Sequence, residues 1–263
     1  MTAFTALRSV AAADPNAEVD ALWTTYGFTS PQNAYGPWNA QELRTRFHLG
    51  RNAPGVDLIN QNDANAVDPQ HGQYVVVDDY YQIHNGFFAY AAVGAGSGNT
   101  FPLRSAYGEV DLQVLRSSPL LIGAGADVTS SADGTVQRYF SIGPTYYFNG
   151  GDVTLRYLPT ASSNNANGAS GLFALQLGAE SIRSTVLTVQ YGNSPPFLAR
   201  GGALALGTGE RAVNVDLTFK RPLRRNLGLI YGLDFAHVVD AASGDAVYIR
   251  RGVSLGLVWF STP

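Results

Sequence analysis

From position 19 onward, apolar and polar residues alternate in long runs along the chain. In the last run Val253, Leu255, Leu257 and Trp259 share one face, while Ser254 and Gly256 share the other with Tyr248, Arg250 and Gly252 further back. In the second run Leu43, Thr45, Phe47 and Leu49 oppose Glu42, Arg44, Arg46 and His48. In the sixth, Ala106, Gly108, Val110 and Leu112 oppose Tyr107, Glu109, Asp111 and Gln113. A period of two marks β-strands, because successive side chains leave a strand on opposite sides. The pattern predicts strands at Val19–Phe28, Trp38–Arg51, Val56–Asn65, Gln73–Ile83, Gly86–Gly94, Leu103–Leu115 and Leu120–Thr129. It continues through Thr135–Phe148, Asp152–Leu158, Gly171–Glu180, Ser184–Gly192, Ala212–Lys220, Leu227–Val238 and Ala246–Phe260.

Their lengths are close to the roughly 9–11 residues with which a tilted strand crosses a bilayer. The connections strengthen that reading. Tight turns are expected at His84-Asn85 and Asn149–Gly151, and longer loops at Ala66–Gly72, Pro159–Ser170 and Asn193–Arg211. Short turns at one rim and long loops at the other characterise an outer-membrane barrel. The expected fold is therefore all-β: a closed antiparallel transmembrane β-barrel of about fourteen strands, with twelve or sixteen as alternatives. An even strand number lets the last strand meet the first antiparallel. A soluble sandwich or jelly roll also alternates, but has no reason to keep loop lengths in phase.

Composition changes the picture in three ways. Charged residues are only 14% of the chain, against about 25% in soluble domains. Net charge is −3, with Lys220 the single lysine, so nucleic acid finds no basic surface. Cysteine is absent, which excludes disulfides and thiolate metal sites. No apolar run is long enough for a transmembrane helix, and Met1–Leu7 does not resemble a signal peptide. We therefore expect residues 1–18 to be a leader or linker from an upstream domain, 19–260 the barrel and 261–263 a tail.

Candidate chemistry is sparse. Gly94-Ala-Gly-Ser-Gly98 lacks the spacing and following helix of a dinucleotide loop and reads as a surface loop, as does Gly207-Thr-Gly-Glu-Arg211. No Gly-x-Ser-x-Gly elbow is present. Asp63, Asp68, Asp78 and Asp79 gather near one expected loop, where oxygen ligands suit Ca²⁺, but their spacing matches no EF-hand. Arg221, Arg224 and Arg225 bunch in an expected turn. His48 falls in mid-strand beside Arg44, Arg46 and Glu42, but nothing fixes a nucleophile or carboxylate beside it. Neither catalytic residues, a metal site nor a cofactor is assigned.

One constellation spans many strands. On the polar face lie Arg44, Arg46, His48 and Asp78, then Glu109, Asp111, Arg156 and Glu180, and then Asp216, Lys220, Asp234 and Arg250. These are the expected lumen-lining residues. Mixed acids and bases either pair across an interior and obstruct it or line a polar pore, and fourteen strands fall between filled and open barrels. Tyr74, Tyr80, Tyr107 and Tyr139 fall on the same face, where aromatic rings beside polar groups suit sugars. Arg250 and Arg251 are adjacent, so Arg250 is expected inward and Arg251 near the outer rim, where lipid headgroups take its charge.

Several segments, in order, resemble the YaiO family of outer-membrane β-barrels: Gly55-Val-Asp-Leu-Ile-Asn60, Tyr74-Val-Val-Val-Asp-Asp-Tyr-Tyr-Gln-Ile83, Tyr139-Phe-Ser-Ile-Gly-Pro-Thr-Tyr-Tyr-Phe148, Gln190-Tyr-Gly-Asn-Ser-Pro195 and Arg251-Gly-Val-Ser-Leu-Gly-Leu-Val-Trp-Phe260. The resemblance implies a Gram-negative outer-membrane location and contact with outer-membrane lipid. It also implies company with surface polysaccharide and a periplasmic helical-repeat partner or upstream domain. It carries over no catalytic residue. The expected function is a non-enzymatic barrel that passes or helps secrete a polar substrate such as a surface glycan. The alternatives are a plugged docking barrel that anchors a partner and a lipid- or glycan-modifying barrel enzyme built on His48.

Overall fold

The computed structural model describes residues 17–30, 36–63, 70–98, 100–115, 118–163, 167–180, 183–193 and 210–261. These form fourteen strands: β1 (Ala17–Thr29), β2 (Trp38–Phe47), β3 (Gly55–Asp63), β4 (Gln70–His84), β5 (Phe87–Gly98), β6 (Arg104–Gln113) and β7 (Leu120–Ser130) come first. They continue as β8 (Val136–Phe148), β9 (Gly151–Ser162), β10 (Gly168–Glu180), β11 (Arg183–Gly192), β12 (Glu210–Arg224), β13 (Leu227–Asp240) and β14 (Ala246–Phe260). Each strand pairs with the next, and β1 pairs antiparallel with β14 from Glu18↔Phe260 to Thr29↔Ile249, closing the barrel. Closure leaves no sheet edge, so every strand finds its backbone partners inside the protein, as hydrocarbon requires.

Alternation decides which face meets lipid. Val253, Leu255, Leu257 and Trp259 point outward and are 44–61% exposed, while Tyr248 and Arg250 on the same strand point inward and are buried. The usual arrangement of a soluble protein is thus inverted, with the apolar face outside and charge inside. Fourteen strands about 4.8 Å apart, tilted by about 40°, give a cylinder about 28 Å across between backbones.

Two tight turns are Asn-Gly hairpins, at Asn85-Gly86 and Asn149-Gly150. Gly86 (φ 80°) and Gly150 (φ 90°) hold the left-handed conformation that such turns demand. Turns and both strand termini share one rim, which the barrel pattern assigns to the periplasm.

Several expected boundaries move. β2 ends at Phe47 rather than Arg51, because Gly50 (φ 67°) turns the chain and Phe47 N donates to Pro54 O at 2.9 Å. β9 runs on to Ser162 and β10 begins at Gly168, so only five residues separate them where a long loop was expected, and β7 and β8 are likewise joined by only 131–135. Gly94–Gly98 belongs to β5 and is not a surface loop. β12 continues through Arg224, and Arg221 Nη1 donates to Ser184 O at 2.8 Å, so Arg221 leaves the expected turn, while Arg224 and Arg225 stay exposed at the strand end and in the turn. Of the other expected features, residues 1–16, Asp68 and Gly207–Gly209 lie outside the described residues, as do 262–263. β1 already begins at Ala17, and Ser261 extends the seam, its backbone N donating to Ala17 O at 2.9 Å.

A lumen girdled by ion pairs

The inward face carries five charge clusters, each joining side chains from different strands. Arg44 on β2 donates through Nε to both carboxylate oxygens of Asp57 on β3, at 3.1 and 3.0 Å, and through Nη2 to Glu42. Arg46 holds Asp78 on β4 through Nη2, at 3.0 and 2.9 Å, and Tyr90 on β5 donates to the same carboxylate at 3.0 Å. Lys220 on β12 reaches β1, pairing with Asp20 at 2.7 Å and with Glu18. Arg250 donates to Asp234 on β13 at 2.9 and 3.0 Å, and its guanidinium lies 4.7 Å from the centre of the Tyr26 ring.

The fifth cluster spans the most wall. Arg156 on β9 passes over β8 and β7 to Glu109 (2.9 Å) and Asp111 (3.3 Å) on β6. It can do so because the wall beneath is glycine. A Cβ on Gly123 would lie 2.9 Å from Glu109 Oε1, and closer still to Asp111 and Arg156. Gly143 offers its carbonyl to Arg156 Nη1 at 2.8 Å. Arg156 therefore lies along the wall, and Tyr107 adds a hydrogen bond to Glu109. Such pairing is the condition for keeping charge out of bulk water, since a buried ion without a partner is strongly destabilising.

Of the residues expected to line the lumen, Arg44, Arg46, Asp78, Glu109, Asp111, Arg156, Lys220, Asp234 and Arg250 all sit in these clusters. Asp216 also points inward and accepts a hydrogen bond from Thr218 Oγ1 at 3.0 Å. Two do not belong. His48 lies one residue past the end of β2, at the turn rim and away from mid-height, which removes the geometry on which an active site there was considered. The side chain of Glu180 lies outside the described residues. Asp78 stands far down β4 and is held by Arg46, so it does not join a Ca²⁺ site at the 64–69 connection.

Glu18, Asp20 and Asp57 were not singled out from the sequence, though their alternation parity marked them as inward. With Asp127 and Asp152 they leave carboxylates outnumbering cations on the inward face.

The two halves of the wall differ chemically. Trp38 on β2, Tyr74 and Tyr80 on β4, Tyr90 on β5 and Tyr107 on β6 present rings inward. Across the lumen, among the described residues, no aromatic side chain faces inward from β9 to β13. That wall carries hydroxyls and amides instead, among them Thr154, Ser170, Gln176, Thr188, Gln190 and Asn214.

Residues 20–197 match the YaiO membrane beta barrel domain. The chain belongs to this family. Its structural relatives are outer-membrane barrels too, and the YaiO barrel shares their fold at very low sequence identity. The CymD monoaromatic hydrocarbon channel superposes with a TM-score of 0.63 at 9% identity, covering 98% of this chain and 91% of that one. The Ralstonia pickettii toluene transporter TbuX gives 0.54 at 10% identity, covering 95% and 90%. Omp33 of Acinetobacter baumannii gives 0.51 at 8% identity, covering 94% and 99%. A search of curated protein sequences returns no match. The YaiO barrel is therefore an outer-membrane protein with the fold of these outer-membrane barrels.

Proposed function

We propose that this YaiO barrel is a narrow outer-membrane conduit for a polar solute of the sugar type, and not an enzyme. The observation that carries the reading is the pair of facing walls. Rings on β2–β6 offer flat apolar faces to sugar C–H surfaces, and the hydroxyl and amide wall of β9–β12 offers donors and acceptors to sugar hydroxyls. Acid-rich charge held in pairs keeps the path polar without trapping a neutral solute. Liposome swelling tests this. Vesicles carrying the barrel should admit mono- and disaccharides faster than they admit charged solutes of equal size. Equal, background-level swelling for every solute counts against the proposal.

A second reading is favoured by burial. Inward side chains such as Arg250, Thr145 and Gln61 are about 0% exposed, as expected of a plugged barrel that serves as a dock. A stable complex with a periplasmic helical-repeat protein, formed by a barrel that admits no solute, would establish that alternative.

A further inference from the structure

The outward face of β1–β4 changes chemistry rung by rung. The lower rung joins Ala21, Leu43, Leu58 and Val75, all apolar. The next joins Trp23 to Gln41, Asn60 and Gln73, and the one above joins Thr25, Asn39, Asn62 and His71. Among the described residues, no other outward strand position carries a side-chain amide. Amides facing hydrocarbon are costly unless something hydrogen-bonds them.

An open, shallow groove of about 630 Å³ lies on the outward surface at this step, lined below by Ala21, Leu43 and Leu257 and above by Gln41, Asn60 and Gln73. Its size is that of a small-ligand site. Above it, four residues up β14 from Leu255 of the groove lining, stands Arg251, exposed and outward, opposite Gly27 of β1, which has no side chain to cover it.

We propose that this face binds a phosphorylated glycolipid of the outer leaflet. An acyl chain fills the apolar groove, sugar hydroxyls and acyl-linkage carbonyls bond the amide rungs, and a phosphate meets Arg251. The order of these parts along the strands matches the order of parts in such a lipid, from chain to sugar to phosphate. Two convex barrels docking side by side would leave a concave groove empty, which disfavours a second copy as the occupant. The inference does not depend on what passes through the lumen.

Native mass spectrometry of the detergent-extracted barrel tests it, with bisphosphorylated lipid A, dephosphorylated lipid A and phosphatidylglycerol as probes. The wild type should retain bisphosphorylated lipid A in preference to the other two. Arg251→Gln should lower the preference for the phosphorylated form about tenfold, and Gln41→Leu/Asn60→Leu/Gln73→Leu should lower total lipid A occupancy about tenfold. All substitutions lie on the lipid face, and a retained heat-dependent gel shift shows that each variant is folded. Equal retention of phosphatidylglycerol, occupancy unchanged in the triple variant, or a barrel dimer without lipid would each overturn the proposal.

Discussion

Arg250 is the most completely buried charge among the described residues, and replacing it gives the sharpest test of the girdle. Its guanidinium is about 0% exposed, makes two bonds to Asp234 at 2.9 and 3.0 Å, reaches Asn214 at 3.4 Å and lies over Tyr26. Arg250→Met leaves the Asp234 carboxylate without its partner. Breaking a buried pair from one side costs about 3–5 kcal/mol, whereas replacing both ends with apolar groups of similar volume is close to neutral. Arg250→Met/Asp234→Leu should therefore recover most of what the single change loses. With a urea slope of about 3 kcal/mol/M for a chain of this size, the single variant should unfold at about 1–1.7 M lower urea. Tryptophan fluorescence of the barrel refolded into vesicles reads the midpoint. Singles that lose less than about 1 kcal/mol, or a double variant that loses the sum of the two, would refute the claim that this pair is a desolvated unit.

Four further outcomes follow from the same geometry. Gly123→Val should displace Arg156 from Glu109 and Asp111 and destabilise the barrel by about 2–4 kcal/mol, measured in the same urea assay, because there is no room for a side chain beneath the cluster. Leu255→Arg, on the lipid face, should cost about 2–4 kcal/mol in vesicles, and a loss below 1 kcal/mol would place that face outside the hydrocarbon. Any ion current should favour cations, since inward carboxylates outnumber inward bases, and a reversal potential that favours chloride contradicts this. At the loop rim, the Thr135 backbone N–H and hydroxyl bond Asp133 and hold its carboxyl below the ordinary range. Whatever order that gives 131–135 should be present above the ordinary carboxylate range and fade as pH falls through the lowered value, which NMR titration of the Thr135 amide would follow.

Much of the fold was legible because a barrel strand writes its two environments directly into alternate positions. Leu255 against Ser254, and Val110 against Glu109, are enough to assign sides. The errors have local causes. Leu49 continues the alternation of Leu43, Thr45 and Phe47, yet Gly50 and Pro54 end the strand, and His48 was thereby placed on a strand that had already stopped. The glycines of Gly94–Gly98 lack strand propensity, but in a lumen wall they make room for the ring of Tyr74, so they continue β5. The ion pairs were not legible. Alternation shows that Arg156 and Glu109 both face inward, but only the register of β6 through β9, and the bare wall at Gly123, bring them together.

Single-channel recording from the purified barrel in planar bilayers, on wild type and on a variant with the girdle loosened by Arg156→Ala, tests the central claim most directly. The account predicts small, discrete conductance steps for the wild type, larger steps for the variant, and transient block of both by added oligosaccharide. Bilayers that stay silent with both proteins, once insertion has been confirmed, would contradict the conduit and leave a plugged barrel.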